Sequence, residues 1–226
     1  MRKISIAIFV IAAIANPALV VYSHCHNTYP CEQVQSRVVG PWEWATFHVP
    51  VDWYINPTQS GMPSLTTDVT AAANSWSNIQ RSDGTTIDFS YRSQGLIDAE
   101  AGDYDNKNVV SWVGMENSPN AAVTYIWLIG GIGPLIDEVD IGFNYYKDWK
   151  THANKTDGYL CIRDTAAHEW GHAAGLKHVK YDPTKTSGIG NCPAWQDYTM
   201  HAGASPNSHD RESLACEDKW ALDYKY

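Results

Sequence analysis

The stretch "HEWGHAAGLKH", residues 168–178, holds three histidines, a glutamate and two glycines. His168 and His172 are four residues apart, so on a helix their side chains lie on one face, one turn apart. Two imidazoles at that spacing can share one metal ion at about 2.0–2.1 Å. The stretch therefore predicts a helix that carries two ligands of a metal site.

The rest of this stretch predicts a third ligand and a base. Gly175 tolerates the left-handed conformation that ends a helix, so the chain can turn back and His178 can reach the same ion. Glu169 is turned about 100° round the helix from His168, where its carboxylate can reach a metal-bound water without binding the metal. Three protein ligands leave a fourth position for water, which is typical of a catalytic zinc site.

The apolar pattern outside this stretch predicts an α+β domain. We expect a twisted mixed β-sheet, one helix before the main strands, the histidine-bearing active-site helix after them, and a C-terminal helix. Ser64 or Thr66 can cap the first helix, and Asp164 is the expected N-cap of the second. The predicted strands are 44–57, 85–92, 108–114, 121–131 and 138–144, and the predicted helices are 64–80, 163–176 and about 208–226.

The N-terminus has the pattern of a secretory signal peptide over residues 1–23. Arg2 and Lys3 precede the apolar run "ISIAIFVIAAIA", residues 4–15, and small residues follow. Cleavage after Ser23 fits this pattern, and cleavage after Ala15 is also possible. The alternative is an uncleaved membrane anchor, although the apolar run is short for a span. Residues 24–41 are polar and predict an irregular N-terminal arm.

The charge and the cysteines fit the secreted, extracellular protein that the signal pattern predicts. The formal net charge is −9, and removal of residues 1–23 makes it about −11. No basic run is present, so we expect no nucleic-acid partner. The sequence also has no second long apolar run, so we expect no stable membrane insertion. All five cysteines follow the signal, and export permits disulfides. Cys25–Cys31 and Cys161–Cys192 are possible pairs that leave Cys216 over; the alternative is that some are buried thiols.

Residues 168–178 match the H-E-x-x-H-x-x-G-x-x-H pattern of the metzincin zinc metallopeptidases, which the chain therefore resembles. "DYTMHAG", residues 197–203, places Met200 where these enzymes have a methionine in a tight turn beneath the zinc. Within the metzincins the chain looks most like a matrixin (matrix metalloproteinase-like family). "VDWYINP" (51–57), "EVDIGFN" (138–144) and "ESLACEDKWALDYKY" (212–226) are similar to that family's opening strand, the strand before its active helix and its closing helix.

This resemblance implies a metzincin catalytic domain over residues 42–226 that hydrolyses peptide bonds of extracellular proteins. It assigns one Zn²⁺ to His168, His172 and His178, the role of general base to Glu169, and peptides or proteins as substrates. Gly175 would end the helix and Met200 would form the Met-turn. The alternative is a non-catalytic zinc-binding or adhesion protein on the same scaffold. Glu169 argues against it, because a structural site does not need that carboxylate.

The chain also departs from the matrixin pattern. The Pro-Arg-Cys-Gly type of propeptide motif is not found, and residues 24–41 are too few for a propeptide domain. No histidine lies between His48 and His152, so we do not expect the family's second, structural zinc site. Asp103, Asp105, Asp137 and Asp140 could hold a structural Ca²⁺, but a solvated acidic surface is the interpretation that we favour.

Overall fold

The computed structural model describes residues 42–80, 85–131, 134–178, 199–201, 214 and 216–226. The predicted signal peptide and N-terminal arm lie outside these residues. The strands are β1 Glu43–Trp44, β2 Val51–Asn56, β3 Tyr91–Leu96, β4 Val109–Val113, β5 Ala122–Leu128, β6 Leu135–Asn144, β7 Trp149–Lys150 and β8 Leu160–Cys161. The helices are α1 Thr66–Ser75, α2 Ile162–Ala173 and α3 Cys216–Lys225. None of the helices described here is long and apolar enough to cross a membrane.

Six strands form one mixed, mostly parallel sheet, which agrees with the predicted α+β class. Strand β6 pairs with β1 near its start and with β4 near its end, β4 pairs with β2, and β2 pairs with β3, all in parallel. Strand β5 runs antiparallel to β6 on the side opposite β1 and β4. In the described part of the chain β6 is its only partner strand, so β5 forms an edge of the sheet. Strands β7 and β8 form a separate parallel pair.

Helix α2 is held against the sheet and α1 by buried aromatic side chains. Trp76 and Trp170 are completely or almost completely buried. The Trp76 indole donates to Ala167 O at 2.8 Å, and the Trp170 indole donates to Val69 O at 3.2 Å. Buried aromatic residues dominate core energetics, and an indole N–H needs a partner when it is buried. These paired contacts fix the position of α2 and therefore of the histidines on it.

The predicted strand over 44–57 is wrong as a single element. The structure divides it into β1 and β2, with a 3-10 turn at Thr46–His48 and Pro50 between them. Proline has no N–H group to donate to a strand ladder, so pairing stops there. The predicted strand over 85–92 has the correct alternation, because Ile87, Phe89 and Tyr91 are buried, but ladder pairing begins only at Tyr91.

The helix starts also differ from the predictions. The N-cap of α1 is Leu65, although Ser64 Oγ accepts the Thr66 N–H at 3.4 Å. The N-cap of α2 is Cys161, so Asp164 lies inside the first turn rather than before it. A carboxylate in the first turn also favours a helix through its interaction with the helix dipole, which explains the incorrect assignment. Of the predicted C-terminal helix, residues 208–213 and 215 lie outside the description.

Candidate metal centre

The end of α2 turns the chain back towards its own histidines. Gly175 has φ +79°, its N–H donates to His172 O at 2.8 Å, and the N–H of Leu176 donates to Gly171 O at 2.9 Å. These two bonds form a Schellman motif, which needs a left-handed residue after the helix. A side chain at Gly175 would also collide with the carbonyl oxygen of Trp42. The turn is therefore suited to glycine, and it leads directly to His178.

Trp44 and Tyr226, which lie near the two ends of the described residues, close the same end of α2. The Trp44 indole donates to Ala173 O at 2.9 Å, and the Tyr226 hydroxyl donates to Ala174 O at 3.2 Å. The Trp44 N–H in turn donates to the Tyr226 oxygen at 3.1 Å. The last carbonyl groups of a helix have no partner within the helix. Residues from the two ends of the described chain therefore satisfy carbonyl groups next to the turn that carries His178.

Three imidazoles converge beside this turn. The Nε2 atoms of His168 and His172 are 3.1 Å apart, and each lies 3.0 Å from the Nε2 of His178. His168 Nδ1 lies 2.6 Å from Thr199 O, and His172 Nδ1 lies 2.8 Å from Leu176 O. A carbonyl only accepts hydrogen bonds, so in the neutral imidazoles both protons are on Nδ1 and both Nε2 atoms are bare. Bare nitrogens that face one another repel unless they share a cation.

The three nitrogens fit one metal ion. The centre of a triangle with these sides lies roughly 1.75 Å from each corner. These nitrogens could therefore all reach one ion at about 2.0–2.1 Å, the usual imidazole–zinc distance, and three protein ligands would leave a position for another ligand. Imidazole nitrogens suit zinc, copper, iron and nickel. Among the described residues, these histidines are the one group of three or more His, Cys, Asp or Glu side chains close enough to hold a metal.

The surroundings favour neutral imidazoles, the form that binds a metal. Burial lowers the pKa of His172, against the hydrogen bond to Leu176 O, which raises it. The pKa of His178 falls to about 4, because neighbouring groups desolvate its ring and because the charge of His172 opposes a second proton.

Glu169 follows His168 on α2 and lies in a buried position, with its side chain reaching the edge strand. It is only 6% exposed, and its Oε2 atom accepts a hydrogen bond of 2.6 Å from the Thr124 hydroxyl on β5. Burial raises the pKa of Glu169 to about 7, against the effect of the Thr124 hydrogen bond, which lowers it. A carboxylate in such surroundings is a stronger base than one in water.

Met200 lies directly against α2 beneath the histidines. It is 2% exposed, and a Cβ atom built on Gly171 would collide with Met200 Sδ and lie 2.8 Å from Cζ2 of Trp76. The preceding residue, Thr199, accepts the His168 Nδ1–H through its carbonyl. The Thr199 N–H donates to Asp218 Oδ2 on α3 at 3.3 Å. The predicted Met-turn methionine is thus placed next to the helix turn that carries His168 and His172.

Replacing Gly171 with alanine is expected to lower both stability and metal binding. Alanine gains up to about 1 kcal/mol of helix propensity, but overpacking a core typically costs about 1–3 kcal/mol. Because Met200 and buried Trp76 occupy the space, we expect the overpacking to prevail and Tm to fall by several degrees. Asn74→Ala, an exposed change on α1, is the control, since it gains propensity without a collision. Thermal unfolding that shows Gly171→Ala as stable as the wild type would contradict this packing.

Three supporting residues are not identified from the sequence. Thr124 could have been noticed as a polar residue on a buried strand face with Ala122 and Ile126. Asp218 has a similar signal, because it shares its helix face with buried Ala221 and Leu222. The Thr199 carbonyl has no signal, because main-chain groups are the same at every residue.

The aspartates predicted for calcium have other partners in the structure. Asp140 is fully buried, and its two oxygens accept the N–H groups of Gly102 and Val109, both at 2.7 Å. Burial raises the pKa of Asp140 to about 8. Asp137 accepts a hydrogen bond from the Tyr104 hydroxyl. These carboxylates hold the segment between β3 and β4 against β6, and the calcium site, which includes Asp103 and Asp105, stays a prediction.

The disulfide predictions rest on residues outside the description. Cys25, Cys31 and Cys192 are not among the described residues, and nothing is described of the Cys216 side chain. Cys161 is buried at the N-cap of α2.

In comparisons with known proteins, no family model matches the chain and no curated protein matches it.

Proposed function

We propose that the protein is a secreted zinc-dependent endopeptidase with a metzincin-type, matrixin-like catalytic domain over residues 42–226. One observation carries the proposal: the Nε2 atoms of His168, His172 and His178 converge to within 3.0–3.1 Å of one another. Glu169, adjacent in sequence, and Met200, packed beneath the helix, support it. The metal is assigned as zinc because three imidazoles with one open position are typical of catalytic zinc sites.

The proposed reaction divides the work between the histidines and Glu169. His168, His172 and His178 would hold the zinc, which would supply Lewis acidity to the scissile carbonyl and to the attacking water. The Glu169 carboxylate accepts the proton of the attacking water and then delivers it to the leaving amine nitrogen. The Nδ1–H bonds to the carbonyls of Thr199 and Leu176 hold two of the imidazole rings in orientation throughout.

The edge strand β5 is the proposed binding surface for an extended peptide. The N–H of Asn144 donates to Ala121 O at 2.9 Å, and Val123 is paired with Gly142 two residues along. Main-chain groups alternate between the two sides of a strand, so the N–H and C=O of Thr124 point away from β6. A substrate that adds to this edge as a further strand would pair with them. A peptide bound in this way would lie beside Glu169, which Thr124 contacts.

The sequence pattern supports the proposed location of the protein and the proposed class of substrates. The signal-like residues 1–23 and the acidic charge support secretion, with extracellular proteins or peptides as substrates and with no nucleic-acid partner.

The test combines metal analysis with an assay of peptide hydrolysis on the secreted, purified protein. We expect about one mole of zinc per mole of protein and internal cleavage of a quenched-peptide library. A chelator is expected to abolish cleavage, and added Zn²⁺ to restore it. One mole of zinc with no cleavage of any peptide would favour the non-catalytic alternative. Unchanged cleavage after complete removal of the metal would refute the proposed mechanism.

A further inference from the structure

A single hydroxyl group connects the edge strand to the proposed general base. Thr124 Oγ1 lies 2.6 Å from Glu169 Oε2 and 3.2 Å from the Glu169 main-chain oxygen. Both residues are buried, with 8% and 6% of their surface exposed. A hydroxyl has one proton to donate, and the shorter distance assigns that proton to the carboxylate. In the described part of the chain, Thr124 is the one hydrogen-bond partner of this carboxylate.

The surroundings of Thr124 would accept an apolar side chain. Its neighbours on the same face of β5, Ala122 and Ile126, belong to the hydrophobic core. Valine has nearly the same shape as threonine and is at least as favourable in a strand. A buried hydroxyl costs free energy unless it is hydrogen-bonded, so its presence on this face requires a partner. The partner at the shortest distance is the Glu169 carboxylate.

A hydrogen bond to one oxygen of a carboxylate determines which of the two oxygens stays free to accept a proton from water. A glutamate side chain rotates about three bonds, and a general base must come within about 2.6–3.2 Å of the proton that it accepts. Misplacement by about 1 Å can cost roughly 100-fold in rate. We propose that Thr124 is a positioning residue, whose hydroxyl holds Glu169 Oε2 so that Oε1 is presented to the attacking water. This inference rests on the proposed peptidase function.

The same residue has its main chain on the proposed substrate edge. A change of the Thr124 side chain leaves the N–H and C=O that would pair with a peptide in place. Thr124→Val should therefore affect the chemical step and spare substrate binding. That separation distinguishes a positioning role from a general loss of structure, which would also weaken binding.

The kinetic test compares Thr124→Val with the conservative variant Thr124→Ser. We expect Thr124→Val to bind one mole of zinc, to keep KM within about twofold and to lose about 10- to 100-fold in kcat. Thr124→Ser keeps the hydroxyl and is expected to recover kcat to within about threefold of the wild type. An unchanged kcat in Thr124→Val overturns the proposal. A serine variant with a kcat as low as that of the valine variant overturns it too, because the hydroxyl group alone would then not support the rate.

A second measurement does not depend on activity. A double-mutant cycle of Thr124→Val and Glu169→Ala, followed by urea unfolding of the metal-free protein, measures the coupling of the two side chains. We expect the unfolding equilibrium constants to depart from additivity by about fivefold, and additive effects would overturn the proposal. A wild type that hydrolyses no peptide overturns the proposed function, and the role of Thr124 with it. An active wild type with an equally active Thr124→Val overturns the role of Thr124 alone.

Discussion

Replacing Glu169 with glutamine is expected to abolish peptide hydrolysis and leave the metal site intact. Glutamine has almost the same shape, but its amide does not accept the proton of the attacking water. General-base catalysis typically contributes 10²–10⁴-fold, so we expect kcat/KM to fall by about 10³-fold. The histidines are unchanged, so the zinc content should stay near one mole per mole of protein.

The stability of the same variant gives a second check. The Glu169 carboxyl group is buried, and its ionisation is opposed by desolvation. Glutamine carries no charge, and its carbonyl oxygen can still accept the Thr124 hydroxyl. We therefore expect Glu169→Gln to have a Tm equal to or above that of the wild type. Glu116→Gln, at an exposed position, is the control and should leave hydrolysis unchanged. A Glu169→Gln protein with full activity would remove this residue from the mechanism.

The centre of the candidate site is predictable because it is local in sequence. His168, His172, Gly175 and His178 lie within eleven consecutive residues, and helix periodicity with one left-handed turn is enough to bring their side chains together. Thr124 and Asp218 could not be predicted in the same way. Thr124 is 45 residues from Glu169, and Asp218 is 19 residues from Thr199. Contacts at such separations depend on tertiary packing, which a spacing pattern does not contain.

The fold is likewise predictable where the signal is local in sequence and not where it depends on tertiary packing. The sequence locates β4 and β5 well, because each is a short run rich in β-branched and aromatic residues. All residues of β4 are buried, whereas β5 mostly alternates between buried and partly buried residues. The sequence pattern does not predict that β1 pairs in parallel with β6, where Trp44 is the partner of Ile136. It also merges β1 with β2, because the residues on both sides of the turn have strand-like composition. Pro50 was the available signal for that break.

The three histidines are the other substitutions with a very large expected effect. Three ligands hold the proposed ion, and the loss of one leaves two imidazoles, which bind zinc far more weakly. His168→Ala, His172→Ala and His178→Ala are each expected to retain less than about a tenth of the wild-type zinc and to lose hydrolysis. His48→Ala is the control, because His48 lies outside the cluster. This variant is expected to keep both its zinc and its hydrolytic activity.

Thermal unfolding with and without Zn²⁺ separates ligand loss from misfolding. A ligand that binds only the folded state stabilises that state, and the stabilisation grows with the ratio of ligand concentration to Kd. Zinc should therefore raise the Tm of the wild type and of His48→Ala. The three cluster variants should unfold cooperatively at a Tm that zinc does not change. His178→Ala is the most discriminating, because His178 lies beyond the helix and reaches the site through the Gly175 turn. A His178→Ala protein that kept one mole of zinc would show that a different residue completes the site.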